Sequence, residues 1–365
     1  MIPSANPAAR PLCAALLFGG LSSEHEVSRV SAVTFAEHMD PERYELIKIG
    51  ITKEGRWLYT EATSAQMADG SWEQLPGNMP CVLSPDRADH GAILFTPSGH
   101  VEKLHIDVVL PVLHGLWGED GTIQGLLELA GIPYVGCGVT ASANCMDKAI
   151  AKTLFTAAGI PNARWMEVTA QDLDRIDLVE EQAASALGYP MFVKPVCAGS
   201  SVGVHKVTEP AQLEEAVRDA LRFDSRVLIE ECIKGQEVEC AVMGNGQPVA
   251  SDLVGEIAAS GFYDYEGKYL NDSAQLYIPA RIPQAAAERV RALAVKAYRA
   301  LGCRGLARVD FFVCDGAEDG RGVVLNEINT LPGFTNISMY PKLFLASGYD
   351  YPGLVEKLID LALEG

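Results

Sequence analysis

Arg308, Asp310, Glu327 and Asn329 are the residues whose types and spacing promise chemistry. They lie in two apolar runs, 306–313 and 322–329, rich in β-branched and aromatic residues and flanking a turn-rich segment, the pattern of a β-hairpin. Side chains alternate along a strand. Arg308 and Asp310 therefore share one face of the first run, and Glu327 and Asn329 one face of the second, while Val309, Phe311, Val324 and Ile328 are apolar. A buried polar group without a partner costs about 1–3 kcal/mol and an unpaired charge more, so this face needs compensation. Either it is wet, with Arg308 bridging the carboxylates, or two carboxylates and an amide oxygen hold a hard cation such as Mg²⁺, with phosphate oxygens completing its octahedron. The Thr330-Leu331-Pro332-Gly333-Phe334 turn that follows would put backbone N–H groups beside the cation, where an oxyanion or phosphate would be held.

Other stretches could supply what such a centre needs. Residues 189–195 read as a short buried strand carrying Lys194, followed by the loop Ala198-Gly199-Ser200-Ser201-Val202-Gly203 and a strand at 204–207. That loop is rich in N–H donors and hydroxyls and suits phosphates, although it lacks the Gly-Lys-Ser/Thr of a Walker loop and could equally be a plain flexible hairpin. Residues 227–237 (VLIEECIKGQE) read as a strand whose end could meet an adenine edge, with Glu237 on ribose hydroxyls.

The first third alternates strand and helix. Residues 13–18 form an apolar strand ending in Gly19-Gly20, and Ser22 is placed as the N-cap of a helix, with Glu24 and His25 at the carboxyl end of the strand where open α/β sheets bind ligands. Strands at 44–51 and 108–113 fit a parallel sheet. Residues 57–100 read as a β-rich excursion or a long loop. His114-Gly115, with Gly118-Glu119-Asp120-Gly121 after it, repeats the strand and glycine-loop arrangement, although a lone histidine after a strand is more often a satisfied hydrogen bonder. Met146-Asp147-Lys148 opens a further helix.

With 365 residues, 48% hydrophobic and 21% charged, the chain is long enough for two or three domains with cores of their own. A formal net charge of −19 without Lys or Arg runs argues against nucleic acid and for small polar substrates. Nine cysteines, an odd number without C-x-x-C, suit reduced thiols in a cytoplasmic protein and speak against zinc or disulfides. The apolar segment 12–21 is expected to be a buried strand rather than a signal peptide. No apolar run approaches the roughly 20 residues of a membrane helix.

The order GG-x-S-x-E-x-E-V-S, HG-x-x-GEDG-x-x-QG, MDK, F-V-KP, GSS-x-GV, IEE…G-x-E, ARVDFF and NEINTLPGFT-x-x-S-MYP resembles the D-alanyl-D-alanine ligases of the ATP-grasp superfamily, from residue 14 to about 363. The resemblance implies mixed α/β and α+β architecture: an ATP-grasp fold with an N-terminal parallel-sheet, Rossmann-like domain. Its domains would be an N-terminal substrate domain (1–136), a central ATP-grasp subdomain (137–230) and a C-terminal subdomain carrying the metal site (231–365).

It further implies ATP-dependent joining of two D-alanines for peptidoglycan precursor synthesis in a cytoplasmic homodimer. Two Mg²⁺ ions would be needed, replaceable by Mn²⁺, held by Asp310, Glu327 and Asn329, with Glu327 bridging ions roughly 3.5–4 Å apart. Lys148 and Lys194 match phosphate-binding lysines, and Glu230, Cys232, Ile233 and Glu237 fall where adenine and ribose are contacted. Glu24, with His114, matches the site of the first D-alanine, while Ser338 and Met339 fall where the second carboxylate docks. Arg308 and the Gly333 N–H match the oxyanion hole. Ser200 and Tyr269 match partners linking Glu24 to a lid at 262–270 that carries Lys268 toward the γ-phosphate. Relatives making D-alanyl-D-serine, or a non-catalytic nucleotide-binding module, are the alternatives; the second would lack a metal ligand or a phosphate lysine.

Overall fold

The computed structural model describes residues 10–199, 202–259, 274–314 and 321–364. The apolar run LCAALLFG forms β1 (Leu12–Gly19), buried along nearly its whole length. A strand apolar on both faces belongs inside a covered parallel sheet. From β1 the chain passes through α1 (His25–His38) to β2 (Tyr44–Ile51), then β3 (Trp57–Tyr59), α2 (Ser64–Asp69), β4 (Met79–Leu83), β5 (Gly91–Phe95), β6 (Val101–His105) and β7 (Val108–Pro111). The seven strands lie in the order β6-β5-β4-β3-β2-β1-β7. Only the β2-β1-β7 centre is parallel; β3 to β6 extend it antiparallel, so residues 57–100 are the β-rich excursion rather than a loop. The last parallel strand stops at Pro111, two residues short of the expectation.

The turn after β1 requires glycine. Gly19 has φ +88, and a Cβ there would lie 2.2 Å from the Ile51 carbonyl oxygen. The helix cap expected at Ser22 is not formed: α1 starts at His25, with Glu24 in the cap position and no side-chain cap bond. Ser22 Oγ instead donates to the His114 carbonyl at 2.7 Å, a tertiary partner that outcompetes the local one and ties the two glycine turns together.

Beyond α3 (Thr122–Ala130) and α4 (Val139–Met146), α5 (Lys148–Ala157) begins with Asp147, whose side chain accepts from the Ile150 N–H. A four-stranded antiparallel sheet follows, built from β8 (Trp165–Thr169), β9 (Met191–Pro195), β10 (His205–Val207) and β11 (Arg226–Glu231) in the order β10-β9-β11-β8, with α6 (Ile176–Ala186) and α7 (Leu213–Ala220) packed on it. The third sheet has β12 (Gln236–Met243) at its centre. Around it lie β13 (Val249–Ala250), β14 (Gly255–Ala259), β15 (Ala274–Tyr277), β16 (Leu306–Val313) and β17 (Val323–Asn329), in the order β15-β14-β12-β16-β17 with β13 on β12.

α8 (Gln284–Ala300) covers one face of the third sheet; α9 (Met339–Ala346) packs on β12 of that sheet, and α10 (Tyr351–Leu363) packs on β7 and α1 of the first. Phe35 of α1 stacks on Phe334 with ring centroids 4.2 Å apart, which fastens the turn after β17 to the first helix. The three sheets thereby frame one cavity of about 940 Å³, near the upper end of the usual range for ligand sites.

Candidate active site

β12, β16 and β17 pair so that their charged residues lie abreast. Arg308 is opposite Asn329, Asp310 is opposite Glu327, and Glu239 of β12 is opposite Asp310 from the other side. The register slips directly after Asp310, where Phe311 faces Leu325, so Asn326 is an extra residue on β17. Such a bulge lets Phe311 and Leu325 stay in the core while Glu327 and Asn329 keep to the cavity. Arg308 forks onto Asp310, with Nε to Oδ1 at 2.8 Å and Nη2 to Oδ2 at 2.7 Å. Asn329 Nδ2 donates to the same Oδ2 at 2.9 Å.

This donor set fits a hard divalent cation in part. Among the described residues no group of three or more His, Cys, Asp or Glu is gathered closely enough to hold a metal ion. What the hairpin offers is two facing carboxylates and an amide, the partial oxygen shell that Mg²⁺ takes when phosphates supply the remaining ligands. Asp310 and Glu327 repel each other across one strand spacing, and a cation between them would relieve that repulsion.

The opposite wall carries cations. Lys148, the first residue of α5, donates Nζ to the Ala198 carbonyl at 2.6 Å. Burial lowers its pKa against the pull of Glu327. Lys194 on β9 and Lys152 on α5 both pair with the buried Glu230 carboxylate. Burial alone would raise the Glu230 carboxyl; Lys152 and Lys194 outweigh it and hold it at about 2. Burial likewise works to lower Lys194, and Glu230 more than offsets it, so that lysine stays charged. The Glu230 side chain is thus committed to the lysines, while Phe192, Cys232, Ile233, Phe312 and Leu325 line the cavity as flat or apolar surface for a base. Glu237 lines it as well. Glu231 is turned elsewhere, to Arg164 Nε at 2.8 Å and to Arg321.

His114 holds the turn after β17. A carbonyl can only accept, so the 2.8 Å contact to Leu331 O makes Nδ1 the protonated nitrogen. Nε2 then accepts from Ser31 Oγ at 3.0 Å, and Ser31 Oγ accepts from the Phe334 N–H at 3.1 Å. Burial lowers the His114 pKa, which agrees with this neutral tautomer. Glu119 clasps the same turn, accepting from Leu331 N and Gly115 N, each at 2.9 Å. Burial, and then Glu24, push its carboxyl up to about 8. A Cβ at Gly333 would lie 2.9 Å from Ser338 Oγ, so any larger residue there would displace that hydroxyl. Ser338 precedes α9, where helix N–H groups favour an anion. Glu24, His114, Arg308, Gly333, Ser338 and Met339 all line the cavity.

Family models described as D-ala D-ala ligase N-terminus and D-ala D-ala ligase C-terminus match residues 14–137 and 154–360. A D-alanine--D-alanine ligase of Acetivibrio thermocellus is 48% identical over 360 residues, covering 96% of this chain and 95% of that protein. The chain belongs to the D-alanine--D-alanine ligase family. The solved D-alanine-D-alanine ligase of Coxiella burnetii has a TM-score of 0.82 at 35% identity, covering 97% of this chain and 95% of that one. The solved VanG D-Ala:D-Ser ligase of Enterococcus faecalis has a TM-score of 0.87 at 38% identity, covering 97% and 100%. The fold is accordingly the ATP-grasp fold of these ligases.

Sequence reasoning left four residues of the ligase site without a role: Ser31, Glu119, Lys152 and Glu239. Three carried a signal: Glu119 stands in the Gly118-Glu119-Asp120-Gly121 loop, Lys152 follows Lys148 by one helical turn, and Glu239 follows Glu237 on the same strand face. Nothing local marked Ser31. Ser200, Lys268, Tyr269 and the lid expected at 262–270 lie outside the described residues.

Proposed function

We propose that this chain uses ATP to join two D-alanines into D-alanyl-D-alanine for peptidoglycan precursors, through an acyl phosphate. The observation that carries the reading is one cavity lined together by Lys148 and Lys194, by Arg308, Glu327 and Asn329 of the hairpin, and by the turn at Gly333. Relatives named D-alanine--D-alanine ligase, 44–48% identical, support the same activity.

In this reading Glu24 takes the ammonium of the first D-alanine, and Lys148 and Lys194 hold phosphate oxygens while the D-alanine carboxylate attacks the γ-phosphate. Two Mg²⁺ ions, or Mn²⁺ in their place, would be held by Asp310, Glu327 and Asn329 and would neutralise charge on the transferring group. The second D-alanine, its carboxylate at Ser338 and Met339, then attacks the acyl carbonyl through its free amine. Arg308 and the Gly333 N–H hold the oxyanion, and phosphate leaves. His114 and Glu119 keep the Gly333 turn in place. Ser200, Tyr269 and Lys268 would close the site against water, which would otherwise hydrolyse the acyl phosphate.

We assign the chain to three units, 1–136, 137–230 and 231–365, each carrying one of the three sheets almost entirely. We take it as a cytoplasmic homodimer; no described helix is long and apolar enough to cross a membrane. A non-catalytic module is disfavoured because every expected metal ligand and both phosphate lysines are present.

D-alanyl-D-serine is the second reading, favoured by the likeness to the Enterococcus faecalis D-Ala:D-Ser ligase. Against it, Met339 offers only a weak thioether acceptor to a serine hydroxyl, and a hydroxyl buried without a partner loses roughly 1–3 kcal/mol. Competition between labelled D-alanine and D-serine, with the dipeptide products separated by mass, decides the matter. A D-alanine preference of about tenfold or more at the second site supports the first reading, and a predominance of mixed dipeptide replaces it with the second.

A further inference from the structure

We propose that Glu239 is a second anchor for the Arg308 guanidinium, drawing it off Asp310 so that this carboxylate can bind its cation. The inference rests on the assignment of Asp310 as a metal ligand made above, and it adds a residue that this assignment does not include.

Asp310 is buried at 4% exposure, and both of its oxygens carry the Arg308 fork. A bidentate guanidinium–carboxylate pair is among the strongest side-chain contacts; it takes one lone pair on each oxygen, and with Asn329 Nδ2 also on Oδ2 it leaves little of the carboxylate's capacity and much of its charge already compensated. Arginine and cation therefore compete for Asp310. Moving a guanidinium away inside a buried site leaves an uncompensated charge unless a second carboxylate receives it. Glu239 is that carboxylate. It is 5% exposed, stands beside Asp310 on β12, and its Oε1 is already 3.1 Å from Arg308 Nε. Pivoting about this contact, Arg308 can release Asp310 and turn toward the reacting carbonyl without losing a charged partner. Glu239 is thus a positioning residue that acts through Arg308, and metal loading is linked to arming of the oxyanion hole.

The test is Mn²⁺ binding in the presence of ADP, followed by calorimetry on the full chain, with no turnover required. E239Q should raise the Mn²⁺ dissociation constant about tenfold, equivalent to ~1.4 kcal/mol. R308Q should tighten Mn²⁺ binding although it cripples catalysis, because Asp310 is uncovered. The double variant E239Q/R308Q should bind Mn²⁺ as tightly as R308Q alone. E239D, which keeps the charge, should recover most of the loss, guarding against a mere folding defect. An E239Q dissociation constant equal to that of the unaltered chain overturns the proposal. So does the same loss for E239Q in the R308Q background, which would put Glu239 directly on the ion. Failure of the unaltered chain to bind Mn²⁺ with ADP would instead remove the metal assignment itself.

Discussion

Replacing Glu230 by Gln removes the one carboxylate shared by Lys152 and Lys194 while keeping its shape. In the folded chain its carboxyl stands at about 2 against an ordinary 4.5. At about 1.4 kcal/mol per pH unit that gap corresponds to roughly 3 kcal/mol of stability. A depressed carboxyl contributes this fully above about pH 4.5 and loses it as pH falls toward 2. Breaking a buried ion pair on one side costs a similar ~3–5 kcal/mol, because the partners remain as buried charges. Glu230→Gln should therefore lower unfolding stability by roughly 3 kcal/mol at pH 7 but by only about 1 kcal/mol at pH 3, where the native carboxyl is losing its advantage. Urea unfolding of both chains at the two pH values measures this. The same variant should raise KM for ATP more than for D-alanine, since Lys194 loses the group that orients it. Equal urea midpoints at pH 7, or a penalty as large at pH 3 as at pH 7, would show that the Glu230 charge does not stabilise the fold through its lysines.

The Glu119 carboxyl, raised to about 8, contributes stability that is complete below about pH 4.5 and is lost as pH rises through 8. Glu119→Gln should remove that decline from the thermal midpoint between about pH 5 and 8, and parallel curves for the two chains would contradict it. Lys194→Ala should weaken ADP binding about tenfold or more in calorimetry while leaving D-alanine binding nearly unchanged, because charge-assisted contacts to phosphate contribute about 1.5–3 kcal/mol. Equal losses for both ligands would remove its phosphate role. Glu327→Gln should abolish phosphate release with circular dichroism intact, and near-normal turnover would remove it from the metal site.

What could be read in the sequence was local. Strand alternation put Arg308 with Asp310 and Glu327 with Asn329 on matching faces, and the pairing of β16 with β17 sets them opposite one another. The apolar run of β1 and its glycine turn were legible for the same reason, since period and turn chemistry act over a few residues. The bulge at Asn326 was not, because it follows from how Phe311 and Leu325 are placed in the core. Nor was the neighbouring strand that sets Glu239 beside Asp310, a pairing between residues 71 positions apart. Ser22 carried a cap signature that a distant carbonyl overrode. His114 read locally as a satisfied hydrogen bonder, and both its ring nitrogens are bonded, but that its partners would be a turn 217 residues away and the first helix could not be seen from the sequence.

In the proposed reaction a D-alanine carboxylate oxygen becomes bonded to the γ-phosphorus of ATP before the peptide bond forms. D-Alanine labelled with ¹⁸O in both carboxylate positions, incubated with the chain, ATP and Mg²⁺, tests it through mass analysis of the released phosphate. An acyl phosphate route transfers one labelled oxygen to each phosphate formed with dipeptide. Unlabelled phosphate accompanying labelled dipeptide would contradict it.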